Sequence, residues 1–427
     1  MHRLLLAGVL CVAGLVFFSP LGSVASTHVV PAQPVIDLDP AFGVDGLAYS
    51  FASGYGSEVA VQPDGKILVA GSSNENLAVA RYLPSGELDT TFGQTGMVER
   101  DLGGRDFVTG LILDPSGSIL VSGNSDGSVA LVRILPNGVL DSSFANFGSL
   151  TGPLTSTVGW NGDIIRMPDG SYLVGGALSS TNTGFIARFG PSGLPDFGFG
   201  DGGYLKLSPD DGGSSVYTLD LMSDGHLLVG AITGGGGYGT GAHWSSSLYR
   251  MNLAGQPDLW FGNQGVVTVT GADLGLPWPG TVVLNELQIL PDDDLLLATS
   301  AGIMRLDASG QRVPEWGDHG IAWAPTAYFQ YTDVAVRPNG QVVASSADYQ
   351  SPQGSVAALS FFDPAGRAIG GLWLEPADRS GRAYGLLVTD DGRVLTAGGS
   401  NTGMFVAQVQ GDTFLRAFLP WVLQSAP

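Results

Sequence analysis

Residues Val59–Gly71 read VAVQPDGKILVAG, and the same thirteen-residue pattern returns as LILDPSGSILVSG from Leu111, IIRMPDGSYLVGG from Ile164 and LDLMSDGHLLVGA from Leu219. Three further copies follow, LQILPDDDLLLAT from Leu287, VAVRPNGQVVASS from Val334 and LLVTDDGRVLTAG from Leu386. Each is an apolar stretch, a tight turn and a second apolar stretch, the pattern of a β-hairpin. The third turn residue falls at Gly65, Gly117, Gly170, Gly225, Asp293, Gly340 and Gly392, in steps of 52, 53, 55, 68, 47 and 52 residues. A third apolar stretch follows each hairpin, as in LAVARYL (Leu77–Leu83), and then a fourth. The loop between these two reads Asp-x-x-Phe-Gly-x-x-Gly, with its aromatic at Phe42, Phe92, Phe199 and Phe261 and looser versions at Phe144 and Trp316. Its Asp can bond its own backbone, its Gly permits positive φ, and its aromatic can plug the gap between units. Four short strands per unit without a helical period predict an all-β fold: a seven-bladed β-propeller of four-stranded antiparallel blades.

The ends of the chain support a closed ring over a linear stack. The chain opens at Leu38 with a Phe-Gly loop and one strand, LAYSF, whereas the last unit has three strands and no such loop. The N-terminal strand is expected to complete the seventh blade; TFLRAFL (Thr413–Leu419) is the competing candidate for that place.

The hairpin ending PDGKILVAG, the segment LAVARYLPSGELDTTFGQTG (Leu77–Gly96) and a period just above fifty resemble bacterial delta-60 repeats, over roughly residues 38–410. The later units depart from the pattern: Asp293 replaces the turn glycine, and Ala365-Gly366-Arg367 leads on with no Phe-Gly loop. The resemblance implies a propeller-type protein, often exported, and carries no catalytic residues to transfer.

Composition agrees with this reading. The 427 residues include 65 glycines and only 13% charged residues, against 44% hydrophobic, which excludes a helical bundle and a disordered linker protein. Eighteen basic against 39 acidic residues give a net charge of -21, which argues against nucleic-acid and anionic-lipid partners. Met1-His2-Arg3, the apolar run Leu4–Phe18 and Ser23-Val24-Ala25 read as a secretory signal over residues 1–25. A leader over 26–37, the propeller over 38–412 and a tail over 413–427 complete the division. Cleavage would remove Cys11, the only thiol, and leave a charge of 17 − 39 = -22 with no membrane span. The expected location is secreted, periplasmic or cell-surface, and the expected state monomeric.

Alternation along the innermost strand identifies the channel positions. Four residues before each turn stand aliphatic residues, which should face the packing between blades. Five residues before it stand Glu58, Gly110, Asp163, Thr218, Glu286, Asp333 and Gly385. The four carboxylates Glu58, Asp163, Glu286 and Asp333 should therefore ring one mouth of the channel, with Asp220 one layer deeper. They could hold Ca²⁺, which takes six to eight oxygens, or could be solvated or accept backbone N–H groups at blade junctions. Loops bordering the same mouth carry Trp160, Tyr238, His243, Trp244, Trp278 and Tyr328. Aromatic plates beside acidic acceptors suit sugar rings. No Gly-x-Ser-x-Gly, His-Glu-x-x-His or phosphate loop occurs. The sequence favours a non-catalytic recognition or scaffold module for an extracellular carbohydrate or protein. A carboxylate-dependent glycoside hydrolase or polysaccharide lyase at the channel mouth is the alternative.

Overall fold

Six of the seven hairpin turns use glycine at positive φ, for example Gly65 at 83°, whose N–H donates to Gln62 O at 2.8 Å. The seventh keeps the same turn without glycine: Asp293 takes φ 61°, and its N–H donates to Leu290 O at 2.9 Å. The repeat therefore survives in geometry where its signature residue is lost.

The computed structural model describes residues 36–155, 162–178, 183–207, 213–234, 244–271, 282–323, 329–348, 356–374 and 381–410. They form seven four-stranded antiparallel sheets. Six sheets run in chain order from the innermost strand outward, beginning with Tyr55–Val61, Ile67–Ser73, Asn76–Tyr82 and Met97–Arg100 as blade 1. In blade 7 the outer strand is Leu47–Ser50, paired with Gly403–Val409 so that Leu47 lies opposite Ala407 and Ser50 opposite Met404. The N-terminal strand closes the ring, and residues 413–427 lie outside the described residues. The expected signal and leader, up to residue 35, also lie outside them. Among the described residues no helix is long and apolar enough to cross a membrane.

Burial follows the strand order. The second strands Ile67–Ser73 and Ile119–Ser125 are buried throughout, covered on both faces by neighbouring blades. The apolar residues gather into seven clusters, one at each junction between blades. Phe42, Phe92, Phe144, Phe199, Phe261 and Trp316 each sit in one of them, so the loop aromatic seals six of the seven junctions. An arginine from the third strand lies over three of these rings, with Arg81 4.5 Å above Phe92, Arg133 4.4 Å above Phe144 and Arg188 5.9 Å above Phe199. Arg81 Nε also donates to the buried Asp89, at 2.9 Å, and its Nη1 reaches Pro136 O of the next blade. At the junction of blades 6 and 7, which lacks the loop, the pair is exchanged. Phe361 occupies the third-strand place of the arginine, and the buried Arg337, from the end of the innermost strand, lies 5.6 Å over it. Arg337 Nη2 donates to Gln410 O of blade 7 at 3.3 Å.

Candidate functional site

The innermost strands do not alternate strictly. In six blades the pairing with the second strand slips just before the channel carboxylate position, between Gly56 and Glu58, Val108 and Gly110, Val216 and Thr218, Leu284 and Glu286, Tyr331 and Asp333, and Ala383 and Leu386. A bulge leaves an extra residue unpaired and re-aims its side chain. As a result the residue six before the turn lines the channel together with the residue five before it. Ser57, Thr109, Gly162, Tyr217, Asn285, Thr332 and Tyr384, one from each blade, border a single cavity of about 390 Å³. Glu58, Asp163, Glu286 and Asp333 border it too, with Tyr55, Gln330 and Arg382 at the strand starts. Strict alternation placed only the carboxylate row here. The bulge row was missed because a single inserted residue leaves the apolar pattern on either side unchanged.

The polar row fastens the ring as well as lining it. Asn285 Nδ2 donates to Tyr331 O of the following blade at 2.6 Å, Thr332 Oγ1 to Ala383 O at 2.8 Å, and Ser57 Oγ to Val108 O at 3.2 Å. The acceptor is the same structural position each time. The carboxylates make the reciprocal bond: Asp163 Oδ2 accepts from Leu219 N–H at 2.9 Å, and Asp333 Oδ2 from Leu386 N–H at 2.6 Å. Their Oδ1 atoms accept from Ile164 and Val334 N–H, each at 2.6 Å. Glu286, one methylene longer, reaches back to Thr218 Oγ1 at 2.9 Å and accepts from Leu287 N–H at 2.9 Å. Asp220, one layer deeper, accepts from Leu221 N–H at 2.7 Å.

Burial and mutual repulsion govern these acids. Burial, then the charges of Asp163, Glu286 and Asp333, push Glu58 well above the usual carboxylate range. Asp163 is raised well above its ordinary value by burial and by Glu286. Glu286 is pushed up to about 8 by burial and the charge of Asp333, and Asp333 to about 7, mainly by burial. The four predicted ring members therefore do converge on one cavity and sense one another. Among the described residues, no group of three or more His, Cys, Asp or Glu side chains is arranged to hold a metal ion.

The aromatic loop residues cannot be placed with them. Trp160, Tyr238, His243, Trp278 and Tyr328 lie outside the described residues. Trp244 opens the strand Trp244–Met251, opposite Gly234, and its side chain is likewise outside what is described. Three tyrosines stand in the cavity wall instead, Tyr55, Tyr217 and Tyr384, the first and last with ring centroids 5.6 Å apart.

Comparison with known proteins bears on the fold. Residues 62–92 and 115–144 match the family model described as Domain of unknown function (DUF5122) beta-propeller. No curated protein matches the chain. Virginiamycin B lyase from Staphylococcus aureus is similar in structure, with a TM-score of 0.53 and 13% identity over 85% of this chain and 99% of that one. A catalytically inactive form of that lyase with quinupristin gives 0.51 and 13%, over 85% and 98% of the two chains. The extracellular domain of a putative one component system from B. thetaiotaomicron gives 0.46 and 9%, over 88% of this chain and 40% of that one. Both matched segments run from a hairpin turn to the aromatic that seals the next junction, and so take in the second and third strands of a blade and the loop that follows. The chain is a propeller-type repeat protein in which the middle part of each of the first two blades in chain order matches that family model.

Proposed function

We propose that the protein is an exported recognition module that takes a small polyhydroxylated ligand, a sugar unit of a larger glycan, in the cup at the channel mouth. The observation that carries this reading is the convergence of residues from all seven blades on one cavity, six of them re-aimed by the repeated bulge. Hydroxyl, amide and carboxyl groups there supply donors and acceptors for sugar hydroxyls, and Tyr55, Tyr217 and Tyr384 supply ring faces. Export rests on the signal-like residues 1–25. The acids serve this reading as fasteners between blades and as acceptors at the cup floor, since Asp163 and Asp333 already spend both oxygens on backbone N–H groups.

A glycan array and a soluble cell-wall fraction test the reading. Binding is expected, and Tyr217→Ala or Asn285→Ala should weaken it by about 10-fold or more, as loss of an anchoring contact does. Absence of binding to either, or binding that these variants leave unchanged, would count against it. One observation favours the enzymatic alternative: Glu286 and Asp333 share the cup, with values near 8 and 7, suited to proton transfer at neutral pH. Release of reducing ends or unsaturated products from the same glycans, lost in Glu286→Gln and Asp333→Asn, would assign that function instead.

A further inference from the structure

On the face opposite the cup, the turns and Phe-Gly loops of three consecutive blades expose large apolar side chains. Trp260 is 91% exposed and Leu259 65% in blade 4, Phe197 66% and Leu194 51% in blade 3, and Phe147 83% and Val139 55% in blade 2. The repeat supplies an internal control. In blade 1, Thr90, Thr91 and Thr95 stand where Leu259, Trp260 and Phe147 stand in theirs, and Glu87 replaces Val139. In blade 5, Glu315 and His319 stand at the places of Trp260 and Phe147, and Gln311 at that of Leu194. The loop architecture therefore does not require apolar residues at these places, and the patch is bounded by polar blades on both sides. Neighbouring parts of it adjoin, since Ala145 N–H of the blade 2 loop donates to Ser192 O of the blade 3 turn at 2.7 Å.

In the same three blades, five aspartates of this face share three arginines as partners. Asp141 pairs with Arg133 at 2.7 Å, Asp169 and Asp196 with Arg188, and Asp224 and Asp258 with Arg250. Asp201 is the exposed exception in these loops. A chain of net charge -21 resists contact with its own copies, and that resistance is reduced where arginines partner the acids of the face, as they do here. The exposed side chains together offer an area on the order of 1,000 Å², comparable to the ~800 Å² that each partner of a stable complex buries.

We propose that this apolar arc on blades 2 to 4 joins two copies of the chain in a twofold dimer, with the Trp260 and Phe197 side chains at its centre. The two cups then open on opposite sides of the assembly.

Sedimentation equilibrium on the protein recovered after export tests this across the micromolar range. The expected result is a dimer whose dissociation constant rises about 10-fold or more in Trp260→Ser and in Phe197→Ser. Both residues are exposed, so the melting temperature of the dilute monomer should not move, and Thr90→Ser should leave association unchanged. A monomer at every concentration would overturn the proposal, as would a dimer indifferent to these substitutions. Recovery of a monomer on zwitterionic lipid vesicles, lost in Trp260→Ser, would also overturn it and assign the arc to a bilayer surface.

Discussion

Two kinds of acidic residue in this ring respond to pH in opposite senses. The outer acids are held low: burial raises Asp89, but hydrogen bonds from Thr91 and the charges of Arg81 and Lys66 more than offset it and bring it to about 2. Such a group contributes stability above its unfolded value, and that contribution is lost as pH falls towards 2. The channel acids are held high. Glu286, at about 8, and Asp333, at about 7, ionise less readily in the folded chain than in the unfolded one. Their contribution is complete below the ordinary carboxylate range and is lost as pH rises through 7 to 8. The melting temperature should therefore be highest in mildly acidic buffer and fall between pH 5 and pH 9. Glu286→Gln should flatten that fall, because the glutamine cannot ionise, while it keeps an oxygen for the Leu287 and Thr218 bonds. A melting temperature that rises from pH 5 to pH 9, or an unaltered slope in the variant, would contradict this assignment of charge.

Among the elements, the Phe-Gly loop and the closing strand carry unequal loads. Phe92 is fully buried at the junction of blades 1 and 2, under Arg81 and in the apolar cluster that also holds Val121 and Val132. Phe92→Ala should cost about 3–5 kcal/mol in denaturant unfolding, the usual range for a large aromatic removed from a core. Thr90→Ala, two residues earlier and exposed, should change little. The strand Leu47–Ser50 has only four residues, yet it alone completes blade 7. A Pro at Ala48, which pairs with Val406, should lower the melting temperature more than a Gly at the same place, which keeps the backbone N–H. Limited proteolysis should then cut first within Gly403–Val409, the strand that pairs with the closing strand. Equal effects of the Pro and the Gly would mean that ring closure does not rest on the pairing of this strand.

For the whole molecule, legibility divided along the line between pattern and exception. Blade number, strand order, the closing strand and the sealing role of Phe92 and its equivalents were all written in periodic features, which a chain can be compared with itself to find. The carboxylate row was legible for the same reason, being a fixed offset from a recognisable turn. The bulge row was not, because Ser57, Thr109 and Asn285 look like ordinary strand residues until the hydrogen-bond register shows the slip after Gly56, Val108 and Leu284. Exchange of partners at the Arg337–Phe361 junction was equally hidden. The Phe-Gly signature vanishes there while the contact it serves is rebuilt from two other strands. The exposed arc lay in plain view as Leu259-Trp260, but its meaning depended on which positions of the loop point outward.

Closure of the ring also orders events in time. Leu47 finds its partner in Ala407, almost at the other end of the chain. Sealing that contact carries the entropy of closing a loop that takes in nearly all the described chain, and non-local pairings of this kind are slow. During synthesis from the N-terminus the strand Leu47–Ser50 is made before any complete blade and must wait, unpaired, until the last one has arrived. The first strand made is the last one used, and the chain's exposure to misassociation lasts as long as the other six blades take to stack.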